Sequence, residues 1–158
     1  MKVAEHGPFD VMRDAPKSTV MASDVNADHE SIVVNVPAAE LYQRCLRFEE
    51  LPRFIPSITK AEKVNDTCFS CTSVISTDKN TSVVEIIMRV PERRIAWHAS
   101  SDDFRVGVVF FDPLPNGSTR VTVKVRSIVD RTLLSGALHT FLGNFKRYVE
   151  NSAARKTE

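Results

Sequence analysis

The sequence predicts an α+β domain, a curved antiparallel sheet of seven strands wrapped around one long C-terminal helix, with two short helices after the first strand. Two observations predict it. Short β-branched or alternating segments, separated by turn signals, recur through residues 58–129. The closing segment RTLLSGALHTFLGNFKRYVE, residues 131–150, then sets Leu134, Leu138, Phe141, Leu142, Phe145, Tyr148 and Val149 on one stripe at i, i+3, i+4, i+7 spacing. A closed β-barrel with a peripheral helix is the rival, and the length of that apolar stripe argues against it.

Taken in order, residues 1–28 are polar and aperiodic and carry Gly7, Pro8 and Pro16, so they read as a tail, with a docking segment or lid as the alternative. ESIVVNV, 30–36, is β-branched and short, a strand. Pro37 suits the first turn of a helix, and AAELYQRCLRF spaces Leu41, Cys45 and Phe48 helically. FEELPRFIP is a second short helical piece, broken at Pro52 and stopped before Pro56. Strands follow at 58–65, 67–76, 82–90, 94–100, 105–112 and 119–129. The polar stretches TDKN and SDDF read as turns, and Asn116-Gly117 is a hairpin signal. In TRVTVKVRSIV, Val121, Val123 and Val125 face one way while Thr122, Lys124 and Arg126 face the other. On the final helix, Asn144, Lys146, Arg147 and Glu150 form the polar face. The domain so defined spans 29–150, with a short polar tail at 151–158.

The chain has 158 residues and a formal net charge of +1, so the basic surplus of a nucleic-acid binder is missing. The longest apolar runs, such as VGVVFF, are strand-length, so no membrane insertion is expected. The N-terminus lacks the apolar core of a secretory signal. An odd count of three cysteines points away from a disulfide scaffold and fits a reducing compartment, and the expected location is cytoplasmic.

Cys68 and Cys71 form a Cys-x-x-Cys pair in the strand-like segment TCFSCTSVIS. Strand residues three apart point to opposite faces, about 10 Å apart at roughly 3.3 Å per residue, too far for a disulfide. Zinc would need a second ligand pair, and Cys45, His6, His29, His98 and His139 supply none at suitable spacing. Neither a metal nor another cofactor is therefore expected. Glu85 and Arg89 face outward if Ser82, Val84, Ile86 and Met88 face inward, and Val83 with Ile87 then offers a modest outer patch, a surface for a homodimer. Ile95 shares one face of its strand with Trp97, and His98 lies on the other, exposed side. His139 lies off the helical stripe and is expected in solvent.

The order of elements, together with SIVVNVPAAELYQ, FEELPRFIPSITKAEKV, VPERRIAWHAS and VGVVFFDPLPNGSTRVTV, resembles the helix-grip fold of the SRPBCC, or START-like, superfamily over residues 29 to about 150. The patterns are most similar to bacterial polyketide cyclase/dehydrase-type members, near the coenzyme Q-binding branch. The resemblance implies an apolar cavity between the sheet and the C-terminal helix, whereas periodicity alone favours a packed core. The candidate lining is Phe54 and Ile55 from the loop, Cys71, Val84, Ile86, Met88 and Trp97 from the middle strands, Val109, Phe111 and Val123 beyond them, and Leu138, Phe141, Leu142 and Phe145 from the helix. Phe54 and Ile55 would stand at the cavity's portal; the alternative is that they anchor the short helix. A small hydrophobic or aromatic molecule is the expected ligand, with Ser73, Ser82 and Tyr148 as polar contacts. Two alternatives stay open: a polyketide cyclase or dehydratase, and a regulatory module that binds another protein. No catalytic residue is assigned, because the inferred inward positions are mainly Val, Ile, Met, Phe and Leu.

Overall fold

The computed structural model describes residues 26–56, 58–75, 78–100, 106–127 and 130–157, the side chains of 73–80 and 153–157 apart. Most of the expected N-terminal tail, residues 1–25, and the SDDF turn lie outside them. Seven strands form one antiparallel sheet: β1 (Asn26–Val34), β2 (Ile58–Lys63), β3 (Cys68–Ile75), β4 (Asp78–Val90), β5 (Arg94–Ala99), β6 (Val106–Pro113) and β7 (Thr119–Ser127). Their spatial order is β1-β7-β6-β5-β4-β3-β2, so β1 and β2 are the two edges and the sheet is open rather than a closed barrel. Helix α1 (Ala38–Cys45) and a 3-10 helix (Phe48–Arg53) join β1 to β2, and the long helix α2 (Arg131–Thr157) closes the chain.

Alternation extends β1 back beyond the expected residue 30. Ala27, His29, Ser31 and Val33 are exposed, and Asp28, Glu30, Ile32 and Val34 turn inward. Pro37 caps α1 rather than opening it, with φ −63° and ψ 151°, and Leu41 and Tyr42 are buried beneath the helix. β4 absorbs most of the expected TDKN turn, because its ladder with β3 runs out to Ile75 opposite Asp78. Ladder hydrogen bonds there outweigh poor strand propensity. Bulges between Ile58 and Lys60 and between Ile86 and Met88 bend the sheet. The Asn116-Gly117 hairpin forms as expected: Gly117 has φ 86°, and Asn116 Oδ1 accepts the Ser118 N–H at 3.1 Å.

The apolar stripe of α2 packs onto the concave side of the sheet, where Leu134, Leu138, Leu142, Phe145 and Val149 are buried. Asp130 starts the helix, its Oδ1 accepting the Thr132 N–H at 2.9 Å. Residues 151–157 continue the helix instead of forming a tail, and Arg44 Nη2 reaches Ser152 Oγ at 3.3 Å. The expected polar face needs correction, since only Arg147 of its four members is exposed. α2 lies along edge strand β1, so its flanking polar groups are drawn to the strand. Lys146 Nζ donates to the Val33 carbonyl at 2.7 Å, and Glu150 Oε2 accepts the Asn35 N–H at 2.8 Å. These bonds occupy edge groups that would otherwise be open to another strand.

Candidate functional site

Pairing registers build the concave face in cross-strand rows. One row runs Asp28, Val125, Gly107, Trp97, Ile86 from β1 to β4. The next runs Glu30, Val123, Val109, Ile95. A third runs Ile32, Val121, Phe111. The middles of these rows are apolar and, apart from the half-buried Trp97, buried, while the two carboxylates stand at the β1 end. Above them, α2 contributes Leu138 and Leu142, both buried, and Phe141, which keeps part of its surface exposed.

At one end an aromatic cluster joins the 3-10 segment to α2. The Phe54 ring lies 5.3 Å from Phe145 and 5.8 Å from both Phe141 and Tyr148. Asn144 Nδ2 donates to the Phe54 carbonyl at 3.2 Å, fixing the loop on the helix. Phe54 is thus buried and anchoring, and Ile55 beside it is half-buried. Tyr148 is clasped by two guanidinium groups, Arg44 at 4.8 Å and Arg53 at 5.8 Å from its ring centre.

Of the expected lining, Cys71, Val84, Ile86, Val109, Phe111, Val123, Leu138, Leu142 and Phe145 join Phe54 in one buried cluster, and Ile55, Trp97 and Phe141 pack against it. Met88 is the exception and a correction: it is 45% exposed beside Ile87, which is 56% exposed. The bulge between Ile86 and Met88 breaks the two-residue alternation, turning both side chains outward. Nothing in the run EIIMR marks it. Ser82 is half-buried opposite Cys71, and Ser73 lies outside the described side chains. Glu85 and His98 are exposed, as expected.

The two cysteines of the Cys-x-x-Cys pair point to opposite faces, Cys68 opposite Glu85 and Cys71 buried opposite Ser82. Burial pushes the Cys71 thiol up to about 11. It pushes Cys45 up to about 12, against the opposing charge of Arg44. Among the described residues no group of three or more His, Cys, Asp or Glu is placed to hold a metal ion.

Three polar features escaped sequence reasoning. His139 is 81% exposed yet meets Glu30, Nδ1 to Oε2 at 2.8 Å, which ties the first half of α2 to β1. Asp28 and Glu30 face inward, legible only once β1 extends back to Asn26. Arg44 is 7% exposed with its Nε 3.7 Å from Glu50 Oε1. The signal for Arg44 was present: it stands three residues after Leu41, on the apolar side of α1 where Cys45 had been placed.

The family described as polyketide cyclase / dehydrase and lipid transport matches residues 34–149. No curated protein matches the chain. Solved structures share the fold. The protein DR_A0006 from Deinococcus radiodurans is 23% identical with a TM-score of 0.65, over 80% of this chain and 99% of its own. TTHA0849 from Thermus thermophilus is 17% identical with a TM-score of 0.64, over 80% of this chain and 99% of its own. A START superfamily protein from Mycobacterium smegmatis is 15% identical with a TM-score of 0.62, over 82% of this chain and 97% of its own.

Proposed function

Because the chain belongs to the polyketide cyclase / dehydrase and lipid transport family, a START-like helix-grip family, we propose that it binds a small hydrophobic molecule between the concave face of the sheet and α2. One observation carries this reading: Trp97 on the sheet and Phe141 on the helix keep exposed apolar surface although their neighbours on the same faces, Ile95, Ala99, Leu138 and Leu142, are buried. Aromatic surface left partly exposed beside a buried apolar face is surface for a guest, whose burial contributes roughly 25 cal/mol per Å².

Carriage is favoured over catalysis. Among the described inward side chains of β1, β5, β6 and β7, the acid/base groups are Asp28 and Glu30, both on the edge strand rather than at the centre. A general acid or base needs hydrogen-bond reach to a substrate held mid-face. No helix among the described residues is long and apolar enough to cross a membrane. Val83, Ile87 and Met88 form an outer patch, 46%, 56% and 45% exposed, that favours a protein-contact role in addition to carriage.

Native mass spectrometry of protein from its own source, followed by organic extraction, tests the proposal: a stoichiometric apolar adduct is expected. Phe141→Ala in a folded variant is expected to weaken an apolar fluorescent probe severalfold. Unchanged probe affinity, with no adduct on the wild type, sinks the reading.

A further inference from the structure

Trp97 and Gly107 are directly opposed across β5 and β6 on the concave face. A Cβ placed on Gly107 would lie 2.1 Å from Trp97 Cζ2, 2.5 Å from Cη2 and 2.6 Å from Cε2. The six-membered ring of the indole therefore rests on the bare backbone of residue 107, in space that any side chain would fill. One side of the ring is supported by the sheet. Ile86 on the adjoining strand is buried, as are Ile95 and Ala99 two residues to either side along β5. Trp97 nonetheless keeps exposed surface while it packs against the buried cluster, so the ring is covered by Gly107 but not enclosed. Among the described residues its indole N–H has no hydrogen-bond partner.

The row that carries Trp97 ends in Asp28 on β1, and the row beside it ends in Glu30. Glu30 already meets His139 Nδ1 at 2.8 Å, and both carboxylates stand on the edge strand, three strands from Trp97. A flat aromatic support with one open side takes a planar ring in offset or edge contact. An alkyl chain gains area burial there but nothing further.

We propose that Trp97, held by Gly107, is the stacking platform for a planar aromatic ring of the guest. This rests on the hydrophobic-binding reading above and adds to it the shape of the ligand. Isothermal titration with 2-naphthylmethanol and with 1-decanol separates the two ideas, using the wild type, Trp97→Leu, Trp97→Phe and Gly107→Ala. Trp97→Leu is expected to weaken naphthylmethanol about fivefold to tenfold, in the upper part of the range for one aromatic pair, and to leave decanol within about twofold. Trp97→Phe should recover most of the loss. Gly107→Ala, which leaves no room for the ring where it lies, should reproduce the Leu variant's selectivity. If both probes bind the wild type and a folded Trp97→Leu or Gly107→Ala protein weakens neither, or both equally, the platform is overturned while the binding reading stands. If neither probe binds the wild type, both fall together.

Discussion

Replacing Arg44 by Met tests what the clasp around Tyr148 contributes. Arg44 is 7% exposed, and removing its guanidinium deletes three interactions. Its bond to Ser152 Oγ is long at 3.3 Å, so the low end for a charged hydrogen bond applies, about 1.5 kcal/mol. Its stack on Tyr148 at 4.8 Å adds about 1 kcal/mol. Its Nε approaches Glu50 Oε1 only to 3.7 Å, and both atoms are buried without a hydrogen bond. Loss of one partner in a fully buried pair costs about 3–5 kcal/mol. Here Glu50 keeps Arg47 at 3.6 Å, and relief of the unbonded Nε offsets about 1 kcal/mol. The variant should lose about 2 kcal/mol in urea unfolding at unchanged m-value, or about 4–8 °C in Tm at the 2–4 °C per kcal/mol of a chain this size. A variant at or above wild-type stability would refute the reasoning, because the cost of burying the guanidinium would then exceed all its contacts.

Two further predictions concern titration. For Glu150, whose side chain is 26% exposed, burial raises the carboxyl's pKa, but the Lys146 and Asn35 N–H hydrogen bonds and the Lys146 charge together hold it below the ordinary glutamate range. A group depressed on folding stabilises above its unfolded value, near 4.3, and that stability disappears as pH falls through the lower folded value. Glu150→Gln should therefore cost about 1 kcal/mol at pH 7 and progressively less in acid, and a pH-independent cost would contradict the pairing. In thiol labelling at pH 8, Cys45 at about 12 and Cys71 at about 11 should stay protected until unfolding, leaving Cys68 as the reactive thiol. Three equal labelling rates in the folded protein would contradict the raised thiol pKa values of Cys45 and Cys71.

Several elements were legible from local pattern. Leu134, Leu138, Leu142, Phe145 and Val149 were placed on the buried stripe by spacing, and Val121, Val123 and Val125 by alternation. Asn116-Gly117 marked its own turn. Cys68 and Cys71 were correctly set on opposite faces, because the two-residue period allows nothing else within an unbroken strand. Met88 was misplaced since that period fails at a bulge, and a bulge depends on how β4 meets β5 rather than on the run EIIMR. Lys146 and Glu150 were assigned to solvent because periodicity names the buried face but cannot say that the flanks lie against an open edge strand.

The sequence by itself determined the element types, the inward residues of each unbroken strand and the apolar stripe of α2, all of which follow from periods a few residues long. Only the tertiary structure decided that Trp97 rests on Gly107, that Arg44 is buried under Tyr148, and that α2 lies along β1. Each of those joins residues distant in the chain, and their meeting is set by strand register, sheet order and curvature, which no local period encodes.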